Sequence, residues 1–413
     1  MASTLPASAF TRIAQLAADR RVHKAFRWLH LQEQQLLRWQ AELVAVPAPP
    51  FGEGPRAEWL CDRFRELNLD EVHLDAIGNA VAVRKGSARS GAPNRRVLVS
   101  AHIDTVFPAD TPIEWKLEDT RLEAPGACDN GAGVVCMMAM AAALAHAGID
   151  HACDVVFAGN VGEEGDGDLR GMRHLYETSG FRDSMMAHIV LDGAGHEVAI
   201  THALGSRRFL VTVHGPGGHS WTDAGRPNPI VALSRAIAQL SDVELAPAPR
   251  TTVNVGTIEG GTAINAIPEQ VSARFDFRSI DPEQLIRLEV ELYRAVEDSV
   301  TAANRDCGLV SPGPGGLSFS IEKIGSRPAG RLAEDSPLYD TLRAVDRHLN
   351  IRTEARIAST DANIPLSLGV PAIGVGAGGE GGGIHTRAEW YDARGRELGL
   401  RRVLLLLLAL AGC

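Results

Sequence analysis

The stretch Val97–Pro108 reads VLVSAHIDTVFP, and its pattern decides the fold of the chain. Its apolar, β-branched start predicts a buried strand of a parallel sheet, and His102 and Asp104 follow where that strand ends. Open α/β sheets bind ligands outside the carboxyl ends of their strands. Residues two apart on a strand point the same way, so we expect Asp104 to orient the ring of His102, as a carboxylate does for a metal-bound histidine. The alternative is a buried histidine satisfied by a neighbouring acid.

Strands and helices alternate along the sequence on either side of this stretch. Gly131–His146 is apolar on every side, which is typical of a buried helix, and Asp154–Gly159 and His188–Leu191 predict further strands. This alternation indicates a three-layer α/β domain. We expect two helices between residues 9 and 46, and a buried final helix at Val403–Leu410, which is too short to cross a bilayer.

The pattern changes at about Gly205 and changes back at about Leu317. Between these points the spacing predicts strand, helix, strand, strand and helix, which is the order of a compact α+β unit. Its linkers are expected at Ala203–Ser206 and Ser311–Leu317, which are rich in Gly, Pro and Ser. We therefore predict one domain built from residues 1–204 and 316–413, with an inserted α+β unit at residues 205–315.

Composition excludes several classes of protein. The 413 residues carry a net charge of -10 and contain no basic stripe, so neither nucleic acid nor an anionic membrane surface is an expected partner. The six cysteines form no C-x-x-C pair, which argues against a cysteine zinc site and for reduced thiols. The first residues lack the basic and apolar regions of a signal peptide. We therefore predict a cytoplasmic location.

Acidic and histidine residues recur at the predicted ends of strands and helices: Asp129 in GACDNGAG, Glu163 and Glu164 after DVVFAGNVG, Asp192 after HIVL, and His385 in GGEGGGIHTRAEW. Each has an ordinary structural explanation, as a helix cap, a solvated acidic pair or a surface histidine. Together with His102 they are hard to obtain by chance. Histidine and carboxylate ligands suit zinc, with manganese or cobalt as alternatives.

Asp129 stands before a buried helix among small residues, where a carboxylate could bridge two cations. Such paired cations lie about 3.5–4 Å apart in two-metal hydrolases. The adjacent Glu163 and Glu164 cannot easily reach one metal together. We therefore expect Glu164 to be a ligand and Glu163 to face a metal-bound water as a general base.

Six motifs in combination, SAHIDTVFP, CDNGAG, GEEGDGD, VLDGAG, GPGGHSW and GGIHTRAEW, resemble a known family from about Leu36 onward. It is the family of two-zinc metallopeptidases and deacylases, metallopeptidase family twenty, that includes aminoacylase, glutamate carboxypeptidase, tripeptide-aminopeptidase-like proteins, succinyl-diaminopimelate desuccinylase and acetylornithine deacetylase. The resemblance implies a zinc-exopeptidase catalytic domain with an inserted, ferredoxin-like dimerisation domain. It also implies two zinc ions per subunit and a homodimer.

The resemblance further implies how the residues divide their roles. His102 and Asp192 complete one zinc site with the bridging Asp129. Glu164 and His385 complete the other site with the same Asp129. Asp104 orients His102, and Glu163 is the catalytic base.

In the inserted domain, the resemblance implies that His219 of GGHS reaches across the dimer to the substrate carbonyl. Asn265 and Arg278 would hold a substrate carboxylate, for which a guanidinium fork is well suited. A turn position for His219 and a surface charge for Arg278 are the alternatives. The chain departs from familiar members at Asn130, where they carry lysine or another polar residue.

The sequence thus predicts a zinc hydrolase of amide bonds, most simply an exopeptidase on short peptides that uses a metal-bridging water. An N-acyl-amino-acid deacylase or N-carbamoyl amidohydrolase on the same scaffold is the alternative enzyme. The alternative of another class is an inactive binding protein of the same fold, which would require a lost ligand or base.

Overall fold

The computed structural model describes residues 8–87, 95–178, 182–245, 247–309, 313 and 315–413. The chain divides into two compact units. Unit 1 comprises residues 1–203 and 331–413, and unit 2 comprises Leu204–Gly330.

The described helices, in chain order, are α1 (Ala9–Ala17), α2 (Arg20–Leu31), α3 (Glu33–Val44), α4 (Gly54–Glu66), α5 (Gly131–Ala147), α6 (Arg170–Arg173), α7 (Pro229–Ser241), α8 (Pro282–Asp306), α9 (Pro337–Leu349), α10 (Asn363–Ser367) and α11 (Arg396–Ala411). The described strands are β1 (Asp70–Leu74), β2 (Ala80–Arg84), β3 (Arg96–His102), β4 (Lys116–Glu118), β5 (Arg121–Glu123), β6 (Asp154–Asn160), β7 (Met185–Leu191), β8 (Val198–Ala203), β9 (Gly205–His214), β10 (Gly218–His219), β11 (Thr251–Gly260), β12 (Ala266–Ile267), β13 (Gln270–Ser279), β14 (Ser318–Arg327), β15 (Gly330–Arg331), β16 (Glu354–Ala358), β17 (Ala372–Val375), β18 (Glu380–Gly382) and β19 (Trp390–Asp392).

Unit 1 is built on a mixed sheet with the strand order β1-β2-β6-β3-β7-β17-β8-β15, and β16 pairs with β8. The predicted strand β3 lies at its centre, parallel to β6 and β7. Successive side chains of a strand point to opposite faces. Val97 and Val99 accordingly join the core formed with α1–α5, α9 and α11, whereas Leu98 packs with α6 and α10 on the other face. The sheet lies between two helical layers, so the predicted three-layer α/β fold is confirmed.

Two apolar segments fill the larger core, as the sequence predicts. Helix α5 is buried along nearly its whole length and ends at Gly148, whose φ of +63° favours glycine. In α11, Leu404–Leu408 are fully buried. Among the described residues, no helix is both long enough and apolar enough to span a membrane.

The N-terminal helical region differs from the prediction of two helices, because it forms three. Asp19 accepts a hydrogen bond from the N–H of Arg21 and caps α2, so the chain breaks between α1 and α2. A second break, at Gln32, separates α2 from α3. The periodicity persists across both breaks, which is why the sequence pattern does not reveal them.

Unit 2 has a four-stranded antiparallel sheet with the order β11-β13-β9-β14. Helices α7 and α8 pack on one face of it through apolar side chains such as Leu233, Leu288 and Phe277. With two helices in the connections, this strand order is that of a ferredoxin-like, split βαβ fold.

The second boundary between the units differs from the predicted one at residues 315/316. Strand β14 pairs along its length with β9, so Ser318–Arg327 belongs to unit 2 and the chain returns to unit 1 at Arg331. The predicted boundary placed these residues in the first domain, because local patterning does not say which sheet a segment joins. Part of the predicted linker Ser311–Leu317 lies outside the described residues.

Candidate metal centre

His102 ends β3 and is buried at the carboxyl edge of the main sheet. Its Nδ1 lies 3.2 Å from the main-chain oxygen of Asp104 and 3.5 Å from the carboxylate of the same residue. Burial disfavours a charge on His102, but Asp104 and Asp129 outweigh it and raise the pKa of the ring well above its usual value. Asp104 thus faces one side of the ring, and Nε2 faces the other acids.

The carboxylate of Asp104 also fixes the loop that follows β6. It accepts hydrogen bonds from the N–H of Glu163 at 3.0 Å and from the N–H of Glu164 at 2.7 Å. Burial raises the pKa of Asp104, but His102 and these two N–H groups lower it by more, so the net shift of the pKa is downward. One buried carboxylate therefore orients both the histidine and the two glutamates that the sequence singled out.

Asp129 lies between two histidines. Its Oδ1 is 3.0 Å from Nε2 of His102, and its Oδ2 is 3.2 Å from Nε2 of His385. The Oδ1 contact is too poorly aligned for a hydrogen bond, so within the described residues this buried oxygen has no donor. Burial opposes its charge, yet the two histidines hold the pKa of Asp129 far below the usual range.

His385 comes from the loop between β18 and β19 and has a φ of +64°. Its Nε2 also lies 3.1 Å from Oε1 of Glu164. Asp129 has the largest effect on the pKa of His385 and raises it, whereas burial has a smaller, opposite effect. Glu164 also raises this pKa, which reaches about 9. Burial raises the pKa of Glu164, and the charge of Asp129 acts in the same direction. Positive charge is therefore favoured where these three side chains meet.

Among the described residues, two groups that share Asp129 have ligand atoms within 4.8 Å of one another. One group is His102, Asp129 and Asp192, and the other is Asp129, Glu164 and His385. A third group joins His102 with Glu163 and Glu164. The five residues that the sequence assigned as ligands and the expected base Glu163 are thus in one region of unit 1, where Asp104 contacts His102.

The donor set fits divalent cations of the zinc class. Imidazole nitrogens and carboxylate oxygens are the ligands that zinc, cobalt and manganese accept. The buried Oδ1 of Asp129 lacks a hydrogen-bond donor within the described residues, and such an atom calls for a partner. Cys128, directly before Asp129, belongs to none of these groups of ligand atoms. Burial raises its pKa to about 12, and its sulfur packs against Gly381.

Asn130 contributes to this site although the sequence did not assign it a role there. Its Oδ1 accepts the N–H of Gly133 and caps α5, and it also accepts the N–H of Gly193 at 3.1 Å. Its Nδ2 donates to the carbonyl of Leu191 at 2.8 Å. Its position directly before a helix was the only available signal.

Glu389 is a second residue that the sequence analysis missed. It is almost fully buried and accepts hydrogen bonds from the N–H groups of Gly126, Cys128 and Asp129. Burial raises the pKa of Glu389, and these three bonds oppose the rise. It lies in the motif GGIHTRAEW, four residues after His385, and this was the only available signal.

Asp361 lies in the segment STDANIP, between β16 and α10. It is fully buried and accepts a hydrogen bond from Nδ2 of Asn160, at the end of β6. Burial raises the pKa of Asp361 to about 6, whereas the charge of His102 lowers it. Asn363 turns its Oδ1 to the N–H of Thr360 and so stabilises the turn before α10.

The three residues predicted to act from the inserted domain all belong to unit 2. His219 is on β10, which pairs with β12, and the N–H of Ser220 donates to the carbonyl of Asn265. His219 and Asn265 are therefore neighbours. Arg278 is on β13 of the larger sheet, where its Nε donates to Asp276 at 2.7 Å.

Comparison with known proteins identifies relatives for most of the chain. The profile of the family described as peptidase family M20/M25/M40 matches residues 98–409. Succinyl-diaminopimelate desuccinylase of Corynebacterium glutamicum is 27% identical over 346 residues, which is 81% of this chain and 86% of that protein.

Solved structures share the fold. A tripeptidase from Staphylococcus aureus superposes with a TM-score of 0.73 at 22% identity, covering 92% of this chain and 98% of that one. A dinuclear metal-binding peptidase of the M20 family from Bacillus subtilis superposes with a TM-score of 0.64 at 15% identity, covering 92% of this chain and 99% of the other.

Proposed function

The chain belongs to peptidase family M20/M25/M40 and is a hydrolase, and we propose that it cleaves amide bonds with two metal ions, as an exopeptidase on short peptides. One observation carries this proposal. Asp129 lies between His102 and His385 and belongs to two separate groups of ligand atoms, as a carboxylate shared by two cations must. The tripeptidase and the dinuclear metal-binding peptidase of similar fold support the same reading.

In this proposal His102, Asp192 and Asp129 hold one cation. Glu164, His385 and Asp129 hold the other. Zinc is the proposed metal, with cobalt or manganese as alternatives, because the donors are imidazoles and carboxylates. Cations bound there would act as Lewis acids toward the scissile carbonyl and would lower the pKa of a water molecule.

Glu163 is the proposed general base. It is buried, Asp104 fixes its main chain, and its carboxylate lies within 4.8 Å of ligand atoms of His102 and Glu164. Glu163 takes a proton from the attacking water as the oxygen bonds to the carbonyl carbon. It returns that proton to the amine nitrogen as the C–N bond breaks. Asp104 binds the main chain of Glu163 and contacts the ring of His102, and so fixes their relative positions for this transfer.

Unit 2 is proposed to serve as the dimerisation domain of a homodimer. Its edge strand β11 is largely exposed, and Ile258 on that strand is half exposed, so a second copy has a strand to pair with. His219 from the second copy would donate a hydrogen bond to the substrate carbonyl. Asn265 and Arg278 would bind the substrate's free carboxylate, with Asp276 holding the Nε of Arg278.

The alternative enzyme is an N-acyl-amino-acid deacylase or an N-carbamoyl amidohydrolase. The desuccinylase relative, at 27% identity, favours the first of these. Both act through the same residues and differ from the exopeptidase only in the group attached to the amide. A cytoplasmic location is also proposed, because all six cysteines are unpaired.

A substrate panel tests the proposal. Dipeptides, tripeptides, N-acyl amino acids and N-carbamoyl amino acids are incubated with the protein plus zinc, cobalt or manganese, with and without a chelator. We expect release of a terminal residue from short peptides, two metal ions per chain by elemental analysis, and loss of activity on chelation. Full activity in a folded, metal-free protein would overturn the two-metal mechanism. Cleavage of the acyl or carbamoyl compounds alone would establish the alternative enzyme.

A further inference from the structure

Glu389 joins two parts of unit 1 that each supply a metal-ligand candidate. It lies at the end of the loop that carries His385, directly before β19. Its Oε1 accepts the N–H of Cys128 and the N–H of Asp129, both at 2.8 Å, and its Oε2 accepts the N–H of Gly126 at 3.0 Å. Its side chain therefore holds the loop that carries Asp129.

The main chain reinforces this connection. The carbonyl of Glu389 accepts the N–H of Ala124 at 3.0 Å. The strand that follows it, β19, pairs with β5, the strand that precedes the loop 124–129. The loop is thus fixed at its start by the sheet and at its end by the Glu389 carboxylate.

A side chain that only stabilised the fold at the position of Glu389 would not need to be an acid. Glu389 is 1% exposed, and it stands beside the negatively charged Asp129. Burying a carboxylate is costly unless several hydrogen bonds compensate for the lost water. Three main-chain donors provide that compensation, and all three belong to the segment that ends at Asp129.

We propose that Glu389 is a positioning residue that orients Asp129 toward His102 and His385 and so sets the affinity of both metal sites. Its bond to the N–H of Asp129 fixes the orientation of that residue's main chain. The Asp129 carboxylate can then reach His102 with one oxygen and His385 with the other. Glu389 and His385 lie on one loop. Movement of that loop would therefore displace His385 directly and Asp129 through its bond to Glu389. This inference rests on the proposed metal centre.

The test replaces Glu389 with glutamine. A carboxamide of the same shape has one oxygen, so its NH2 group faces a main-chain N–H in place of an acceptor. Zinc affinity is measured by competition with a chelator, and the cobalt-loaded protein is followed by its visible absorption. Loss of a group that orients metal ligands typically costs 10–100-fold in affinity. We expect that weakening for both metal ions in E389Q, together with an altered cobalt spectrum.

Asp346→Asn is the matched control. Asp346 is another buried carboxylate of unit 1, but it accepts its bonds from Arg402 on α11 and from Thr353, directly before β16. Its replacement should lower thermal stability and leave zinc affinity and the cobalt spectrum unchanged. If E389Q loses stability as D346N does but binds zinc within twofold of the wild type, the proposed role of Glu389 is wrong.

Two further measurements keep the outcomes separate. Hydrogen exchange at residues 126–129 should accelerate in E389Q, and this does not depend on catalysis. Wild-type protein that binds no metal would overturn the metal centre itself. Wild-type protein that binds two ions, with E389Q unchanged, would overturn only the role of Glu389.

Discussion

Asn130 is hydrogen-bonded to the main chain on both sides of Asp192. Its Nδ2 donates to the carbonyl of Leu191, and its Oδ1 accepts the N–H of Gly193. Asn130 also directly follows Asp129, so one side chain connects the two carboxylates that approach His102. The amide is suited to this position because it offers a donor and an acceptor, which lysine does not.

Replacement of Asn130 by alanine should weaken metal binding and destabilise unit 1. It removes the cap of α5 and leaves the carbonyl of Leu191 and the N–H of Gly193 unpaired. The expected cost is about 2–3 kcal/mol, from one cap and the buried groups. Chemical denaturation and zinc titration measure the two effects. Asn130→Asp keeps the acceptor but loses the donor, so it should retain the cap and still bind zinc less tightly. Wild-type zinc affinity in both variants would contradict this.

Glu163→Gln should keep both metal ions and lose turnover. Glutamine preserves the size and the main-chain bond to Asp104 but cannot accept the proton of water. General-base catalysis typically contributes about 10²–10⁴-fold, and kcat should fall by that factor with little change in KM. Steady-state kinetics and elemental analysis check both parts.

Glu164→Gln is the control for that experiment, because Glu164 contacts His385 and is a proposed ligand. It should lose metal as well as activity. Near wild-type turnover in E163Q would mean that another group acts as the base.

Removal of metal should lower the melting temperature of the protein. Without cations, the carboxylates of Asp129, Glu164 and Asp192 lie near one another and near the side chains of His102 and His385. A ligand that binds only the folded state stabilises it by about 4 kcal/mol at 1,000 times its dissociation constant. Differential scanning calorimetry with and without a chelator measures the difference. A melting temperature that ignores zinc would contradict the proposed centre.

His188 should make the protein less stable in acid. It is fully buried between the hydroxyls of Ser100 and Tyr176, at 2.8 and 3.1 Å. Burial alone lowers its pKa to about 3, so only the unfolded chain takes up this proton between roughly pH 6.5 and 3. Stability from this group is complete above pH 6.5 and is lost as the pH falls, by at most about 1.4 kcal/mol per pH unit.

Urea unfolding of the wild type and His188→Gln between pH 4.5 and 7 measures this contribution. The variant should be less stable at pH 7 and should show a shallower dependence on pH. His73→Gln, at an exposed position of β1, is the matched control. An equal pH dependence in all three proteins would show that His188 does not contribute.

The sequence identified the ligand candidates because each lies in a recognisable local sequence pattern. His102 and Asp192 follow β-branched strands, Asp129 precedes a helix, and Glu163 and Glu164 follow a strand. Asn130 also precedes that helix, and Glu389 lies in the motif GGIHTRAEW, but neither position indicates what the side chain contacts. Glu389 acts on Gly126, 263 positions away, and nothing periodic in the sequence encodes a contact at that separation.

The fold shows the same division between local and distant information. Helix α5 and strand β3 follow directly from apolar patterning, and their predicted bounds are close to those observed. The residues of strand β14 were predicted to belong to the first domain, because the pairing partner β9 is distant in the sequence and local patterning does not reveal it. Pairing between distant strands depends on topology, which local propensity does not determine.

Asp129 and His385 are 256 positions apart, yet their side chains touch. A ribosome synthesises a chain from its N-terminus at about 5–20 residues per second, so His385 leaves the exit tunnel well after Asp129. A nascent chain can therefore fold much of its sheet while one of the proposed cation sites still lacks its histidine. Under the proposed two-metal mechanism, the growing polypeptide therefore gains a complete pair of cation sites, and with it hydrolytic activity, only after His385 has been synthesised.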